Sequence, residues 1–368
     1  MSAYGTKVAE GFSSKVMAQL YDTNILDQVV NRDYEGEING VGSKLNILDF
    51  DKLSEKTYAS AALTADALTE NNGTLTIDQY KSFYWKEKTL DKWLSYIKDP
   101  HPTIVNQVTN ERGKNMDTFV FDLHPDVGSG NRVATDYTSG TVEVAVTTGV
   151  VTGSSTTFTS AMVGRGFKAT GHTKWYRIKT FTSTTSITIE DDLDDATSAY
   201  TGGAIAASTA YTIEATTVLT ITAGNILSNV GKLKQKLDLA EKNAHSTVPD
   251  TDRYLVAPPE FFTILSQGTG VVLHVDEAYQ DLVKKGFMGM LQGFKLYMSN
   301  RLDGDNTDGY YVLAGHPMWV TFADKVLDAR MEEDIIGDFG TAYKDLFVYG
   351  AKVKDSRRYM AAAGFWKF

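Results

Sequence analysis

VPDTDRYLVAPPEFFTILSQ, residues 248–267, compresses two structural elements into one short stretch. Tyr254 to Val256 is a brief apolar run and reads as a strand. Pro258-Pro259-Glu260 follows, with Pro259 suited to the first helical position, where its missing N–H costs nothing. Phe261, Phe262, Ile264 and Leu265 then supply the apolar side of a helix. The result is one compact αβ unit, and none of its residues suggests chemistry. The same style continues on both sides. Upstream, TAGNILSNVGKLKQKLDLAEKN opens on Thr222 as an N-cap, with Ile226, Val230, Leu233 and Leu237 on one helical face. Downstream, Phe294, Leu296 and Met298 alternate in a strand, and Tyr310 to Leu313 form another. The tail, Asp345 to Phe368, holds two apolar runs, LFVYGAKV and MAAAGFWKF, around the polar KDSRR. It reads as a closing hairpin of long strands.

The chain is 368 residues long, 42% hydrophobic and 22% charged, which describes a folded protein of two or three domains. Its net charge of −10 argues against nucleic-acid binding as the main task, because a dedicated binder presents a basic face to phosphates. With no cysteine, disulfides, thiolate catalysis and cysteine-ligated metals are excluded together. MSAYGTKVAEGFSS lacks the apolar core of a secretory signal. No run approaches the ~20 apolar residues that cross a bilayer. The expectation is a protein made and folded in the cytoplasm, with no membrane partner.

The first forty residues read as helix, with Val8, Phe12, Val16 and Leu20 on one face and Ile25 and Val29 repeating the spacing. This stripe sits in a terminal arm, so its cover is expected from another subunit. Leu45, Ile47 and Leu48 mark a strand, LSEKTYASAALTADALTENNG is polar, and LTIDQYKSFYW is strand-like again. Together they describe an extended hairpin with too little apolar surface to stand alone. In the helical stretch LDKWLSYIKDPHPTIVNQVTNERGKNMDTFVFDL, His101-Pro102 is an interruption and one long helix runs from Thr103 to about Leu123. From about Gly128 to Thr217 the chain turns rich in Thr, Ser, Gly and Ala. Val142, Val144 and Val146 alternate, as do Tyr176 with Ile178 and Ile187 with Ile189, and TGSS and YTGG mark turns. That pattern predicts a small all-β inserted domain.

Four segments carry a family resemblance: NRDYEGEINGVGSKLNI (Asn31 to Ile47), VPDTDRYLVAPPEF (Val248 to Phe261), GMLQGFKLYMSNRL (Gly289 to Leu302) and AGHPMWVTFADKV (Ala314 to Val326). In this order, the chain resembles the major capsid proteins of tailed bacteriophages. The resemblance implies an α+β, HK97-like capsid fold. It is divided as N-terminal arm 1–42, extended hairpin 43–87, spine helix and peripheral domain 88–127, inserted β domain 128–217, axial domain 218–318 and peripheral strands 319–368. It also implies self-assembly into an icosahedral virion shell around double-stranded DNA that is held only non-specifically. Other copies in hexamers and pentamers are the principal partners, with scaffolding, portal and decoration proteins beside them. A net-negative inner surface would leave such DNA mobile. Some relatives cross-link a hairpin lysine to a neighbour's asparagine with a glutamate as base. Lys52 and Lys56 lie near that arm, but no matching asparagine is identifiable, and a solvated or ion-paired lysine is the plainer reading.

Catalytic patterns are absent from the sequence. GVGSKLN, from Gly40, lacks the order of a phosphate loop. In DGDNTDGYY, Asp303, Asp305 and Asp308 lack the glycine placement and closing glutamate of a calcium loop, and read as a surface turn. EDDLDDA, Glu190 to Ala196, reads as a solvated acidic loop. The histidines 101, 124, 172, 245, 274 and 316 show no paired spacing, and His316-Pro317 suits a turn. No catalytic residue, cofactor or metal is expected. The candidate site residues are instead intersubunit contacts: Val8, Phe12 and Val16 in the arm, and Leu53, Tyr58, Leu63 and Leu68 in the hairpin. Removing everything before Asn31 is expected to leave a folded subunit that assembles poorly. The rival readings are an encapsulin-like nanocompartment shell, a glycan-binding adhesin acting through the β insert and, weakest, a hydrolase.

Overall fold

The computed structural model describes residues 24–34, 44–50, 70–88, 101–146, 148–172, 174–191, 199–240, 247–267, 287–335 and 338–368. A short helix, α1 (Leu26–Val29), comes first. Strands β1 (Lys44–Phe50) and β2 (Glu70–Thr76) pair antiparallel from Lys44↔Thr76 to Phe50↔Glu70. LTIDQYKSFYW is not one strand: Ile77 and Asp78 break it, and β3 (Gln79–Lys88) belongs to another sheet. Helix α2 (His101–Phe121) is the expected long helix and has His101-Pro102 in its first turn; residues 89–100, on the other side of the expected interruption, lie outside the described residues. The missing proline N–H is harmless at that end.

Strand β4 (Arg132–Val133) leads into a run of short strands. They are β5 (Thr135–Tyr137), β6 (Thr141–Val144), β7 (Val150–Ser154), β8 (Gly166–Ala169), β9 (Tyr176–Ser183), β10 (Ser186–Asp191), β11 (Ile205–Thr209) and β12 (Tyr211–Thr217). These eight form one sheet, ordered β11-β6-β7-β10-β9-β8-β12-β5. Their inward residues, among them Val142, Val144, Val151, Ile178, Ile187 and Ile189, make a separate hydrophobic cluster. Val146 lies beyond the end of β6 and is exposed, so the alternation stops one step short of the sequence reading. Glu190 and Asp191 also depart from expectation. They are buried at the end of β10, paired with Lys179 and Lys174 at 3.0 and 2.9 Å, and so are not part of a solvated loop. Burial alone would raise the Asp191 pKa; hydrogen bonds from Thr201 and Lys174 outweigh it and hold the carboxyl below its usual range.

The chain returns through β13 (Leu219–Thr220), α3 (Ile226–Asp238), β14 (Tyr254–Ala257), α4 (Pro259–Gln267), β15 (Phe287–Leu291), β16 (Phe294–Met298), β17 (Gly304–Asp305) and β18 (Gly309–Gly315). Two sixteen-residue strands, β19 (Val320–Ile335) and β20 (Asp338–Val353), precede β21 (Ala361–Lys367). One sheet runs β13-β21-β18-β14-β16-β15, a six-stranded path with β17 added on β18 and β4 on β21, and a three-stranded sheet runs β19-β20-β3. The opening stretch of the sequence explains the first of these. Tyr254 and Val256 point into one hydrophobic cluster, Leu255 and Ala257 into another. A strand covered on both faces has no polar side, which is why this run does not alternate. Helices α3 and α4 cover one face, through Ile226, Val230, Leu233, Leu237, Phe261 and Leu265. The other packs on α1 and α2 and on the start of β19.

Local readings fail in three further places. The residue preceding α3 is Asn225, not Thr222; the Asn225 side chain accepts from Thr222 N at 2.8 Å and donates to Thr220 O at 3.0 Å. In β16 the buried partners are Phe294, Leu296 and Tyr297, and Met298 is exposed. Most consequentially, the tail is not a hairpin. Strand β20 pairs with β19 and β3, whereas β21 pairs with β18, β4 and β13 in the other sheet. A 3₁₀ turn over Asp355–Met360 carries the chain between them.

The first segment is corrected as well. Ile25, Leu26, Val29 and Val30 are buried against Val120, Phe121, Trp319 and Phe322 of the same chain, so the latter part of the expected stripe needs no neighbour. A backbone bridge of Asn31 with Thr321 and the Arg32–Asp324 ion pair at 2.8 Å fasten it. Gly113 of α2 permits the close approach, since a Cβ there would lie 1.7 Å from the Asn24 amide nitrogen.

Candidate functional site

The long strands supply the surface most in need of explanation. The near end of the three-stranded sheet is covered on both faces. Phe347 and Tyr349 face α2, with Phe119 set edge-on to Tyr349 at 5.3 Å and the Arg112 guanidinium 4.5 Å from the Phe347 ring. Val348 and Ala323 face the base of the β1–β2 hairpin, at Ile47, Leu75 and Ile77. Beyond Asp345, which pairs with Arg112, Ala342 and Glu87 are buried, but large apolar side chains also come to the surface. Tyr84, Met331 and Phe339 are then exposed, Phe339 by 88%. Trp85 stacks on Tyr343 at 5.1 Å, while Arg330–Asp328 (2.6 Å) and Lys344–Glu332 pair across the solvent side.

Aromatic side chains among paired charges are the composition of an association surface rather than of a reaction centre. Its edges point to side-chain contact rather than strand addition. Strand β19 carries register shifts at Val326/Asp328 and Glu332/Asp334, and β3 presents exposed Lys81 and Lys86. Both devices discourage edge-to-edge pairing. Among the described residues, no cluster of His, Asp and Glu could hold a metal, and no helix is long and apolar enough to cross a membrane.

Val8, Phe12 and Val16, and likewise Leu53, Tyr58, Leu63 and Leu68, lie outside the described residues, as do Lys52 and Lys56. His245 and His274 are outside as well. His124 is buried, and burial draws its pKa down to about 4 against the opposing hydrogen bond to Asp303 at 2.9 Å; the ring is neutral near pH 7 and stacks on Tyr311. His316 Nδ1 accepts from Met318 N at 3.2 Å within its turn. Asp305 caps the β17–β18 turn by accepting from Thr307 N and Asp308 N at 2.6 and 2.7 Å.

Sequence reasoning missed Asp117. It lies on the buried face of α2 with Asn110, Gly113 and Val120, and is 1% exposed. Its carboxyl accepts from Leu26 N at 3.1 Å and Ile25 N at 3.4 Å, fastening α1 to α2. Burial raises its pKa from 3.8 to about 7; the Ile25 N–H, the Arg301 charge and the Leu26 N–H oppose the rise, and Asp27 adds to it. A raised carboxyl pKa means that the folded state binds the proton more tightly than the unfolded state. The stabilisation is therefore full below about pH 4 and is lost as pH rises through about 7. Asp117→Asn cannot titrate. The wild-type advantage over this variant in urea unfolding should shrink between pH 5 and pH 8, by a few kcal/mol at most. A constant difference across that range would show that Asp117 does not titrate there.

Comparison with known proteins adds the final observations. A sequence profile described as phage capsid protein matches residues 173–363, just over half of the chain, from β9 into β21. No curated protein matches the sequence significantly. Among solved structures, a chain of Mycobacterium phage Che8 is similar at 18% identity, with 98% of each chain covered and a TM-score of 0.55. The capsid of the cyanophage P-SCSP1u is similar at 14% identity over 98% of this chain and 93% of that one, with a TM-score of 0.56. The capsid of Ralstonia phage GP4 is similar at 11% identity over 99% and 96%, also with a TM-score of 0.56. At these identities the likeness establishes the fold.

Proposed function

Because the chain belongs to the phage capsid protein family, we propose that it is the major shell subunit of a tailed phage, closing with copies of itself into an icosahedral container for double-stranded DNA. Its α+β architecture is the HK97-like capsid fold, and its place is in the virion. The profile match over residues 173–363 carries this reading. The work is structural: association energy spread over many contacts rather than catalysis at one centre. Hexamers and pentamers are the expected units, with scaffolding and portal proteins acting during assembly in the host cytoplasm, and a decoration protein on the finished surface.

Physical support comes from the large side chains exposed at the far end of the three-stranded sheet. Exposed Tyr84, Met331 and Phe339 cost little in a lattice that covers them, and each burial contributes to closure. The arm residues Val8, Phe12 and Val16 and the hairpin residues Leu53, Tyr58, Leu63 and Leu68 belong to the same proposal. Nothing among the matched proteins favours a nanocompartment shell or a glycan-binding protein. Negative-stain electron microscopy of the purified full-length chain should show closed particles of uniform diameter. A monodisperse monomer that persists at high concentration would overturn the reading.

A further inference from the structure

The eight-stranded sheet leaves the body of the subunit at Val133 and rejoins it at Leu219. Both crossings lie along one strand, because Arg132-Val133 runs parallel to Ala363-Gly364 and Leu219-Thr220 runs parallel to Trp366-Lys367. Two-residue pairings are too short to hold a domain at a fixed angle. A buried ion pair stands between them. Arg132 and Glu214 meet at 3.2 Å with side chains only 3% and 2% exposed.

Each partner of that pair reaches further. The Glu214 carboxylate accepts from Gly130 N at 2.5 Å and Gly166 N at 3.3 Å. Arg132 donates to Pro125 O at 2.7 Å and Val127 O at 3.1 Å, just past the end of α2, and to Gly164 O at 3.4 Å. One guanidinium thus joins the turn that follows the long helix, the six-stranded sheet and the eight-stranded sheet. Two further ties flank it. Arg165 donates to the Tyr311 hydroxyl at 3.0 Å, and Tyr311 is itself stacked on His124 at 3.8 Å and Phe365 at 4.5 Å. Trp175 has Lys168 of β8 and Lys236 of α3 over its ring at 5.6 and 5.9 Å, and a Cβ at Gly130 or Gly166 would lie only 2.8 or 3.0 Å from that ring.

We propose that the eight-stranded sheet is a clamped brace, and that Arg132 and Glu214 are positioning residues which fix its angle on the body formed by helix α2 and the six-stranded sheet and so set shell curvature. This rests on the reading of the chain as a shell subunit. Loss of one partner from a buried pair leaves an uncompensated charge, so the joint does not open in ordinary fluctuations. The subunit therefore presents its contact surfaces at one angle, and copies joined at one set of angles close at one radius.

Full-length wild type and Glu214→Gln, assembled side by side, test the brace. Glutamine keeps the shape and one carbonyl acceptor but cannot balance Arg132. The variant should retain its far-ultraviolet circular dichroism, exchange the Gly130 and Gly166 amides at least tenfold faster, and give shells of mixed diameter or open sheets. A double variant, Arg165→Ala with Tyr311→Phe, loosens the neighbouring tie without stranding a buried charge, and should broaden the diameters if Glu214→Gln fails to fold. Shells of wild-type diameter and yield from folded Glu214→Gln, or from the double variant where Glu214→Gln does not fold, would overturn the brace alone. A wild-type chain that forms no particle would overturn the shell reading and the brace with it.

Discussion

A chain lacking residues 1–30 should not fold stably, whereas one lacking residues 1–23 should fold and assemble poorly. The boundary falls between Asn24 and Val30 because Ile25, Leu26, Val29 and Val30 are part of the subunit's own core. Loss of a buried aliphatic side chain costs about 2–5 kcal/mol, and somewhat less for valine. Losing four at once removes stability of the order of a domain's entire 5–15 kcal/mol. The shorter deletion spares them. It also keeps the Ile25 and Leu26 N–H groups on Asp117, which the longer deletion removes. What it removes is Val8, Phe12 and Val16, the residues proposed to contact neighbours. Soluble yield and urea midpoints, measured below the assembly concentration, separate the cases. Equal midpoints for the two deletions would show that the segment adds nothing to the core.

The same segment shows what a sequence pattern carries. Helical spacing identified Ile25 and Val29 as an apolar pair, and they are buried. Spacing cannot say which chain buries them, because that depends on residues nearly a hundred positions or more away: Asp117, Trp319 and Phe322. The unit at residues 248–267 was legible because its signals are local: a short apolar run, a proline at the helix start and apolar residues on one side. The inward alternation of Ile178 and Ile189 was legible for the same reason. Strand partners were not. Two apolar runs around a polar turn look like a hairpin, yet β20 and β21 diverge because β21 must be buried on both faces. Its Ala361-Ala362-Ala363-Gly364 run allows that, with Ala361 and Ala363 in one cluster and Ala362 in the other. The Arg132–Glu214 pair was hidden for a related reason. Its members are 82 positions apart, and no spacing rule links a strand leaving one sheet to a strand closing another.

Trp366→Ala should destabilise the subunit by about 3–5 kcal/mol, because this side chain serves packing and connection together. It is fully buried, lies nearly parallel to Phe261 at 6.3 Å and edge-on to Phe368 at 6.5 Å, and so forms the floor beneath α4. Its Nε1–H donates to Val133 O at 2.9 Å, while its backbone pairs with Tyr310 on one side and Leu219 on the other. The residue therefore touches the chain just where it leaves for the eight-stranded sheet and where it returns. Removing the ring opens a cavity in the core and takes a donor from a buried carbonyl. Trp366→Phe divides the two effects. It keeps most of the packing but not the N–H, and should cost about 1–3 kcal/mol. Thermal unfolding of both variants against wild type, at matched concentration, measures the division. If Trp366→Ala unfolds within a degree of wild type, the close packing between α4 and β21 is not what holds this half of the subunit together.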